Sequence, residues 1–254
     1  MKFTHILTNG CSWTYGDELE NPRQQAWPAL LANRLKIPLV NIAVKGSGND
    51  AICRRTIEYL YQNLSTRSKP LVIIAWSQMT RKEVWDEKFL SYQPIACIDH
   101  KNLSHTEKSY LENWNMFDHY TRNLISKISV ISVLENLNIP YFVGPYENSE
   151  LDYIKKEADE QTKQQFSEMS KSIDNNPNVW KTPLIDYCSN TRKFPNGHEM
   201  PEGHQIISNV VFNGLLERFQ SVEHVKGPFL TAKQFSQVNR DFKHQGHSFH
   251  DWLD

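Results

Sequence analysis

Short apolar runs alternate with longer amphipathic segments along most of the chain. Runs that are apolar and rich in β-branched residues predict five strands, at 3–8, 38–44, 70–77, 140–146 and 183–188. Helical spacing of apolar residues predicts helices over 27–35, around 53–64, over 107–137 and over 201–219, with a more polar helix over 150–172. Strands that alternate with helices in this way are typical of βαβ units around a parallel sheet.

The run at 70–77, PLVIIAWS, is apolar on both faces and predicts a central strand that is covered on both sides. Ligands of open parallel sheets bind at the carboxyl ends of the strands. Ser12, Gly46 and Ser77 each follow the end of a predicted strand. We therefore expect these three residues to meet at one edge of the sheet, although they are far apart in the sequence.

Length and composition favour one large α/β domain. Of the 254 residues, 39% are hydrophobic, which is enough for a well-buried core. We assign this domain to residues 1–220. The polar segment 221–254 is interpreted as a C-terminal extension that docks on the domain through its aromatic residues or mediates contacts in an oligomer or a virion.

The charge pattern excludes several classes of partner. The formal net charge is −1, so no overall field attracts nucleic acid or anionic lipid. No stretch approaches the ~18 apolar residues of a membrane span, and Met1 leads into a strand rather than a signal peptide. We expect a soluble, cytoplasmic protein, or a virion protein if a phage encodes it.

Neither the cysteines nor the clustered histidines predict a metal site, and no cofactor is implied. The four cysteines form no CxxC pair, and Cys53 falls on the apolar stripe of a predicted helix, where a buried thiol is expected. His244, His247 and His250 recur at every third position of the extension. A solvated or docked tail explains this pattern better than a metal site, because no fourth ligand is visible.

Three functions are candidates for the glycine-rich turns at 10–16 and 46–51: a phosphate-binding loop, a dinucleotide site and nucleophilic catalysis. The segment from Gly10 to Gly16 has neither the spacing nor the lysine of a phosphate-binding loop. GSGNDA at 46–51 fits a dinucleotide-binding pattern, but the acidic residue expected about 20 positions later is missing from the basic segment 64–70. Nucleophilic catalysis by Ser12 remains.

Ser12 lies between a predicted strand and the following turn, where its hydroxyl and its N–H can face the same substrate atom. A serine needs a base to take its proton and N–H donors for the developing oxyanion. Gly10 permits the tight turn that this placement requires. His198, in a loop before the last helix, is the best candidate for the base, whereas His204 lies inside that helix and is expected to pack or cap.

Three blocks of the sequence resemble the SGNH (GDSL-type) hydrolases, which are esterases, lipases and carbohydrate O-deacetylases. GCSWTYG at 10–16 resembles their G-D-S-x-T-x-G block, NIAVKG at 41–46 their N-x-G-x-S-G block, and NGHEMPEGH at 196–204 their D-G-x-H-x-x-P-x-G-H block. The order is that of the family, and the chain looks most like divergent phage and bacterial members. The resemblance implies a three-layer α/β/α, flavodoxin-like fold with a central parallel sheet of about five strands.

Carried over residue by residue, the resemblance implies a serine esterase without a cofactor. Ser12 is then the nucleophile and His198 the general base, and the N–H groups of Ser12 and Gly46 bind the oxyanion. The implied substrate is a small ester, such as an O-acetyl group on a carbohydrate.

Two departures from the family pattern bear on this reading, besides Cys11 in place of an aspartate outside the triad. WSQM at 76–79 replaces the third block, so Gln78 stands where the family has an oxyanion-binding asparagine, with Asn49 as the alternative amide. Asn196 stands where the family carries the triad aspartate. Either Asp186 or Glu199, the nearest carboxylates in sequence, orients His198, or a backbone carbonyl does, or the site is weak.

Large side chains near these blocks are candidates for substrate contacts. Trp13, Trp76 and Trp85 suit stacking on a sugar ring and suit the core equally well. Arg81 lies just past the third strand, where it either holds an anionic group or is solvated. A second function from another class stays open: a catalytically weak binding or structural module, for instance in a phage virion.

Overall fold

A computed structural model describes residues 1–64, 68–86, 91–95, 108, 115–147, 158–219 and 221–224. Its strands are β1 (Lys2–Phe3), β2 (His5–Asn9), β3 (Leu39–Asn41), β4 (Pro70–Trp76), β5 (Lys82–Asp86), β6 (Ser91–Ile95), β7 (Tyr141–Pro145) and β8 (Glu223–His224). Its α-helices are α1 (Ser12–Tyr15), α2 (Pro22–Gln25), α3 (Trp27–Leu35), α4 (Asn49–Asn63), α5 (Met116–Asn136), α6 (Glu160–Asp174) and α7 (Pro201–Phe219).

The central sheet has the strand order β3-β2-β4-β7, and every pair in it is parallel. β4 lies between β2 and β7, and all seven of its residues are buried. This confirms the central position that its continuous apolar run predicts, because a parallel strand is covered by helices on both faces.

Side chains that alternate along β4 separate two halves of the core. Val72 and Ile74 point to the side covered by α4, α5 and α6, whereas Leu71 and Ile73 point to the side covered by α3 and α7. Strands place successive side chains on opposite faces, so one apolar run builds both halves. The result is the three-layer α/β/α architecture that the sequence predicts.

The prediction of a strand over 183–188 is wrong. These residues form a 3₁₀-helix (Leu184–Cys188), which buries the two side chains at its ends. Beyond β7, the described sheet instead continues only as a single parallel β-bridge between Val143 and Val179. In this bridge the Val143 N–H donates to the Asn178 carbonyl. The sheet described by the structure therefore has four strands and a one-residue extension at this edge.

The helices follow the sequence closely at 27–35 and 201–219, and two further helices begin inside the predicted segments 107–137 and 150–172. α5 begins at Met116 because the Asn115 side chain accepts hydrogen bonds from two backbone N–H groups of the first turn. α6 begins at Glu160, where Asp159 caps the helix through the Thr162 N–H. The preceding parts of both predicted helices fall largely outside the described residues.

The first residues of the proposed C-terminal extension join the domain. Glu223 and His224 pair with Lys2 and Phe3 as two short parallel strands, and the amino group of Met1 donates to the Ser221 carbonyl. Residues 225–254, including the three regularly spaced histidines, lie outside the described residues. No helix in the part of the chain that the structure describes is long and apolar enough to cross a membrane.

His204 is fully buried and joins α7 to α3, since its Nδ1 accepts a hydrogen bond from the Trp27 N–H at 3.2 Å. Burial, with a smaller contribution from His198, lowers the pKa of His204 to about 4. The packing role expected for this histidine agrees with these contacts.

We predict that His204→Asn makes the protein less sensitive to acid. An unfolded histidine titrates near pH 6.5, so below that pH the unfolded state binds a proton that native His204 accepts only near pH 4. Between pH 7 and 5 the wild type should lose about 2 kcal/mol of unfolding free energy through this residue. Denaturant titrations at both pH values should show that the variant loses about 2 kcal/mol less unfolding free energy than the wild type between pH 7 and 5. Equal losses in the two proteins would contradict the prediction.

Candidate active site

The turn after β2 places Ser12 at the first position of α1. Gly10 makes this turn possible because a Cβ atom there would lie 2.2 Å from Thr14 Oγ1 and 3.0 Å from the Ala75 carbonyl oxygen. The Asn9 side chain supports the turn by accepting the Gly10 N–H and donating to the Ile52 carbonyl. Ser12 is 5% exposed, so the hydroxyl lies in a nearly closed environment.

The loop that carries Gly46 follows β3 and lies beside this turn. Val44 N–H donates to the Gly10 carbonyl at 3.4 Å, and Gly46 has a φ of 75°, which glycine adopts without strain. Ser47 Oγ donates to the Val44 carbonyl and accepts from buried Arg55. Within the described residues, the N–H groups of Ser12 and Gly46 make no intramolecular hydrogen bond.

Arg55 donates from Nη2 to Ser47 in the Gly46 loop and is itself held by a buried ion pair. Its Nη1 lies 3.1 Å from Glu83 Oε1, and Glu83 also pairs with Arg54. Burial lowers the pKa of Arg55 to about 10, with Glu83 opposing the shift, so the guanidinium stays charged at neutral pH. The loop is therefore anchored from below by α4 and β5.

Asn49 lies at the edge of the sheet, but its amide has other partners. The side chain donates to the Ser77 carbonyl at 2.8 Å and to Asn123 Oδ1 at 2.5 Å, and it accepts the Ser77 N–H at 2.8 Å. These bonds join α4, the end of β4 and α5. The amide of Asn49 is therefore occupied in linking these three elements.

Gln78 is half-buried, one residue beyond Ser77. Its carbonyl accepts the Arg81 N–H at 3.4 Å, which closes a turn after β4. Among the described residues, its side-chain amide makes no hydrogen bond. Of the two amides considered from the sequence, Gln78 is the one left available to a ligand.

His198 has a carboxylate partner that the sequence analysis did not consider. Its Nδ1 lies 2.6 Å from Glu18 Oε2, and the other carboxylate oxygen accepts a hydrogen bond from Asn196 Nδ2 at 2.9 Å. Glu18 follows α1, six residues after Ser12, so the turn that presents the serine also presents this carboxylate. A carboxylate on Nδ1 directs the other ring nitrogen, Nε2, away from it.

None of the three positions proposed from the sequence supplies this carboxylate. Glu199 is fully buried, where its Oε2 accepts the Thr191 hydroxyl and its Oε1 lies 3.4 Å from Lys193 Nζ. Asp186 is exposed on the 3₁₀-helix. Asn196, in the place of the family aspartate, donates to the carboxylate of Glu18 that contacts His198.

Glu18 adopts a left-handed backbone conformation, with a φ of 66°. Such a conformation is uncommon for a residue with a side chain, and strained residues of this kind cluster at functional sites. Its N–H donates to Asp17 Oδ1, and Asp17 also pairs with Lys45 beside Gly46. The turn is therefore fastened to the Gly46 loop at the point where Glu18 reaches His198.

The indole of Trp13 connects the parts of the site. It stacks on Tyr146 at a centroid distance of 4.6 Å and meets the His198 ring edge-on at 5.9 Å. The Arg81 guanidinium carbon lies 5.3 Å from the Trp13 ring centroid. The histidine and the arginine therefore both contact Trp13, the residue that directly follows Ser12.

The other two tryptophans differ in exposure. Trp76 is 2% exposed and packs in the core, and with Ser77 it lines a cavity of about 210 Å³ between β4, β7, α5 and α6. Trp85 is 51% exposed on the β5–β6 hairpin, edge-on to Tyr92. A role for either in substrate contacts stays a prediction.

The thiols within the described residues are poor nucleophiles. Burial raises the pKa of Cys53 to about 11, and burial together with Glu199 raises that of Cys188 to about 12. Cys11 is buried, and its carbonyl accepts the Thr14 and Tyr15 N–H groups at the start of α1. Across the described ranges, no three His, Cys, Asp or Glu side chains are grouped so that they could hold a metal ion.

The architecture is the SGNH-hydrolase fold, as similar solved structures show. The psychrotrophic esterase EstA from Pseudoalteromonas sp., inhibited by monoethylphosphonate, superposes with a TM-score of 0.51 and 14% identity over 86% of this chain and 100% of its own. TesA superposes with a TM-score of 0.52 and 12% identity over 83% of this chain and 97% of its own. A carbohydrate esterase family 2 enzyme with a carbohydrate-binding domain, from Corynascus thermopiles (Myceliophthora fergusii), superposes with a TM-score of 0.52 and 11% identity. This match covers 85% of this chain and 67% of the enzyme.

The chain belongs to the family described as a family of unknown function, DUF6071, whose model matches residues 15–141. The matched range contains Glu18, Gly46 and Arg81 and lies between Ser12 and His198. A comparison with curated protein sequences finds no match.

Proposed function

We propose that this protein is a serine esterase that hydrolyses a small ester through Ser12, His198 and Glu18. The observation that carries the proposal is the 2.6 Å contact between Glu18 and His198 Nδ1, beside the turn that presents Ser12. In a serine hydrolase, a carboxylate on one ring nitrogen holds the imidazole so that the other can take the serine proton. The proposal requires His198 Nε2 to come within ~2.6–3.2 Å of Ser12 Oγ.

In the first step of the proposed reaction, Ser12 Oγ attacks the carbonyl carbon of the ester while His198 Nε2 takes the serine proton. The tetrahedral intermediate collapses, and the bond to the alcohol oxygen breaks. His198 gives its proton to the leaving alcohol, which leaves the acyl group on Ser12. Glu18 stays ionised and stabilises the imidazolium that forms between these events.

In the second step, a water molecule gives a proton to His198 Nε2 and attacks the acyl carbon. Collapse of the second tetrahedral intermediate breaks the bond to Ser12 Oγ, which takes the proton back from His198. The products are a carboxylic acid and a free serine. No cofactor takes part in either step.

The oxyanion of both intermediates needs donors that are in place before the reaction. We assign this role to the N–H groups of Ser12 and Gly46, which have no partner within the described residues, and to the Gln78 amide. Asn49 has its amide bonded to Ser77 and Asn123, so we assign it to support.

We predict that Gln78→Ala lowers kcat about 10²–10³-fold and leaves KM and stability nearly unchanged, since one oxyanion donor is lost. Asn49→Ala should instead lower the unfolding free energy by about 2 kcal/mol or more, because it leaves buried backbone groups of Ser77 unpaired. Steady-state kinetics and denaturant titrations measure the two effects. Gln164→Ala, on the exposed face of α6, is the matched control. Unchanged kcat in Gln78→Ala would remove this residue from the oxyanion site.

The proposed substrate class is a short-chain ester, with an O-acetylated carbohydrate as the first candidate. The similarity in fold to an esterase and to a carbohydrate esterase family 2 enzyme supports this choice. The nearly closed surroundings of Ser12 also favour a small acyl group.

The test is hydrolysis of 4-nitrophenyl acetate and of an acetylated oligosaccharide by the folded wild type, with release of acetate measured directly. We expect turnover of both, and a lower kcat/KM for 4-nitrophenyl octanoate than for the acetate. Folded protein that is inert toward all three esters would contradict the esterase proposal and favour a binding or structural role.

A further inference from the structure

We propose that the substrate of this site carries an anionic group, a carboxylate or a phosphate, that binds to Arg81. The inference rests on the proposed function for the position of the ester and names one chemical feature of its substrate. It starts from the environment of the Arg81 side chain.

Arg81 is only 9% exposed, yet its charge has no counterion within the described residues. Its Nη1 donates to Ser77 Oγ at 3.3 Å, and its Nε is buried without a hydrogen-bond partner. No carboxylate in the described part of the chain lies within 4.0 Å of the guanidinium. Among the described residues, its guanidinium contacts a neutral hydroxyl and an aromatic face.

Arg55, which is also buried, has a different environment. Arg55 is 3% exposed and is paired with Glu83, which also pairs with neighbouring Arg54. Buried charges are paired in proteins because an isolated one is costly to remove from water. The described part of the chain therefore supplies a counterion to the arginine that supports the Gly46 loop, but supplies none to Arg81.

Arg81 also lies where a substrate would be bound. Its guanidinium and the His198 ring both contact the indole of Trp13, and Trp13 follows the proposed nucleophile. An anion paired with Arg81 would therefore lie near the reacting ester, on the same molecule. The planar guanidinium has a fork of N–H donors that fits a carboxylate or phosphate with two hydrogen bonds.

The expected specificity follows from this pairing. Hydrogen bonds to charged groups contribute enough to raise kcat/KM about tenfold to a hundredfold when the substrate carries the matching anion. The wild type should therefore prefer 4-acetoxybenzoate, or 4-acetoxyphenyl phosphate, over the neutral methyl 4-acetoxybenzoate. The stronger preference of the two identifies the anion as carboxylate or phosphate.

Arg81→Met should abolish this preference, so that the ratio of kcat/KM for anionic and neutral esters falls to about one. Arg34→Met is the matched control, because Arg34 lies on α3, where it contacts Asn209 and Phe212, and its loss should leave the ratio unchanged. Arg81→Lys, which keeps the charge without the planar fork, should retain part of the preference. An equal rate for anionic and neutral esters in the wild type would overturn the proposal.

A binding measurement separates this inference from the esterase proposal. Millimolar acetate or inorganic phosphate should raise the melting temperature of the wild type and of Arg34→Met, but not that of Arg81→Met. If no ester is hydrolysed but an anion still stabilises the protein through Arg81, the esterase proposal fails and the anion site stands. If neither acetate nor phosphate discriminates wild type from Arg81→Met, the anion site is refuted, whatever the esterase activity.

Discussion

Ser12→Ala is expected to abolish the hydrolysis of acetyl esters while leaving the fold intact. Removing the nucleophile removes the covalent route, and in a serine protease such a loss costs roughly 10⁶-fold in kcat. Ser12→Ala removes a single oxygen atom, so at this 5% exposed position it leaves only a small void. The unfolding free energy should therefore change by less than about 1 kcal/mol.

Ser208→Ala provides the control for this experiment. Ser208 is also buried, on α7, and its hydroxyl has no hydrogen-bond partner among the described residues. The control variant should hydrolyse 4-nitrophenyl acetate at the wild-type rate. Residual activity of Ser12→Ala within tenfold of the wild type would exclude Ser12 as the nucleophile.

Glu18→Gln is expected to have the second largest effect. A glutamine at this position keeps the shape of the side chain and removes the charge that orients His198 and stabilises its protonated form. The equivalent change of the triad acid in a serine protease lowers kcat about 10⁴-fold. We expect a loss of this order in kcat with a small change in KM, measured by steady-state kinetics, because Glu18 acts on His198 and not on the substrate.

A second substitution sharpens this test. Asn196 donates to Glu18 Oε1, so Asn196→Asp in the wild type places two carboxylates side by side and should lower activity. In the Glu18→Gln background, the same substitution restores a carboxylate where the SGNH family has its aspartate, and activity should partly return. Full activity of Glu18→Gln alone, or a gain from Asn196→Asp in the wild type, would contradict the assigned role of Glu18.

The sheet could be predicted from the sequence because its signals are local. The four runs that form β2, β3, β4 and β7 are apolar and β-branched, and burial on both faces demands such runs. The segment 183–188 is also largely apolar, but Leu184 and Cys188 are buried at an interval of four residues, which suits a helical turn. An apolar run this short does not distinguish the two structures by itself.

The helix formed by 49–63 shows a similar limit. The aromatic side chain of Tyr61 is 72% exposed on this helix, whereas the polar Thr56 is buried beside Ile52 and Tyr59. Thr56 is buried because its hydroxyl bonds to the Ile52 carbonyl and accepts from the Asn9 side chain. Burial of a polar residue that depends on hydrogen-bond partners in the folded state cannot be predicted from the hydrophobic pattern.

The partner of His198 could not be found by searching near it in the sequence. Glu18 lies 180 positions away, and it reaches His198 from a turn with a left-handed backbone that nothing in its residue type indicates. The sequence also does not show which side-chain amide, that of Gln78 or that of Asn49, is free to bind the oxyanion. Gln78 and Asn49 are equivalent candidates until the contacts of Asn49 with Ser77 and Asn123 are known. That Arg81 has no carboxylate partner among the described residues could not be predicted either, since Glu83, two positions away in sequence, pairs with Arg54 and Arg55.

Labelling with a fluorophosphonate tests the central claim, that Ser12 is an activated nucleophile, most directly. The probe reacts with a serine only when a base and an oxyanion site activate it, and it needs no knowledge of the natural ester. Intact-mass and peptide mass spectrometry should find one adduct per chain on Ser12 in the wild type, slower labelling in Glu18→Gln, and none in Ser12→Ala. The account would be contradicted if the folded wild type stayed unlabelled. It would also be contradicted if Ser12→Ala were labelled as fast as the wild type.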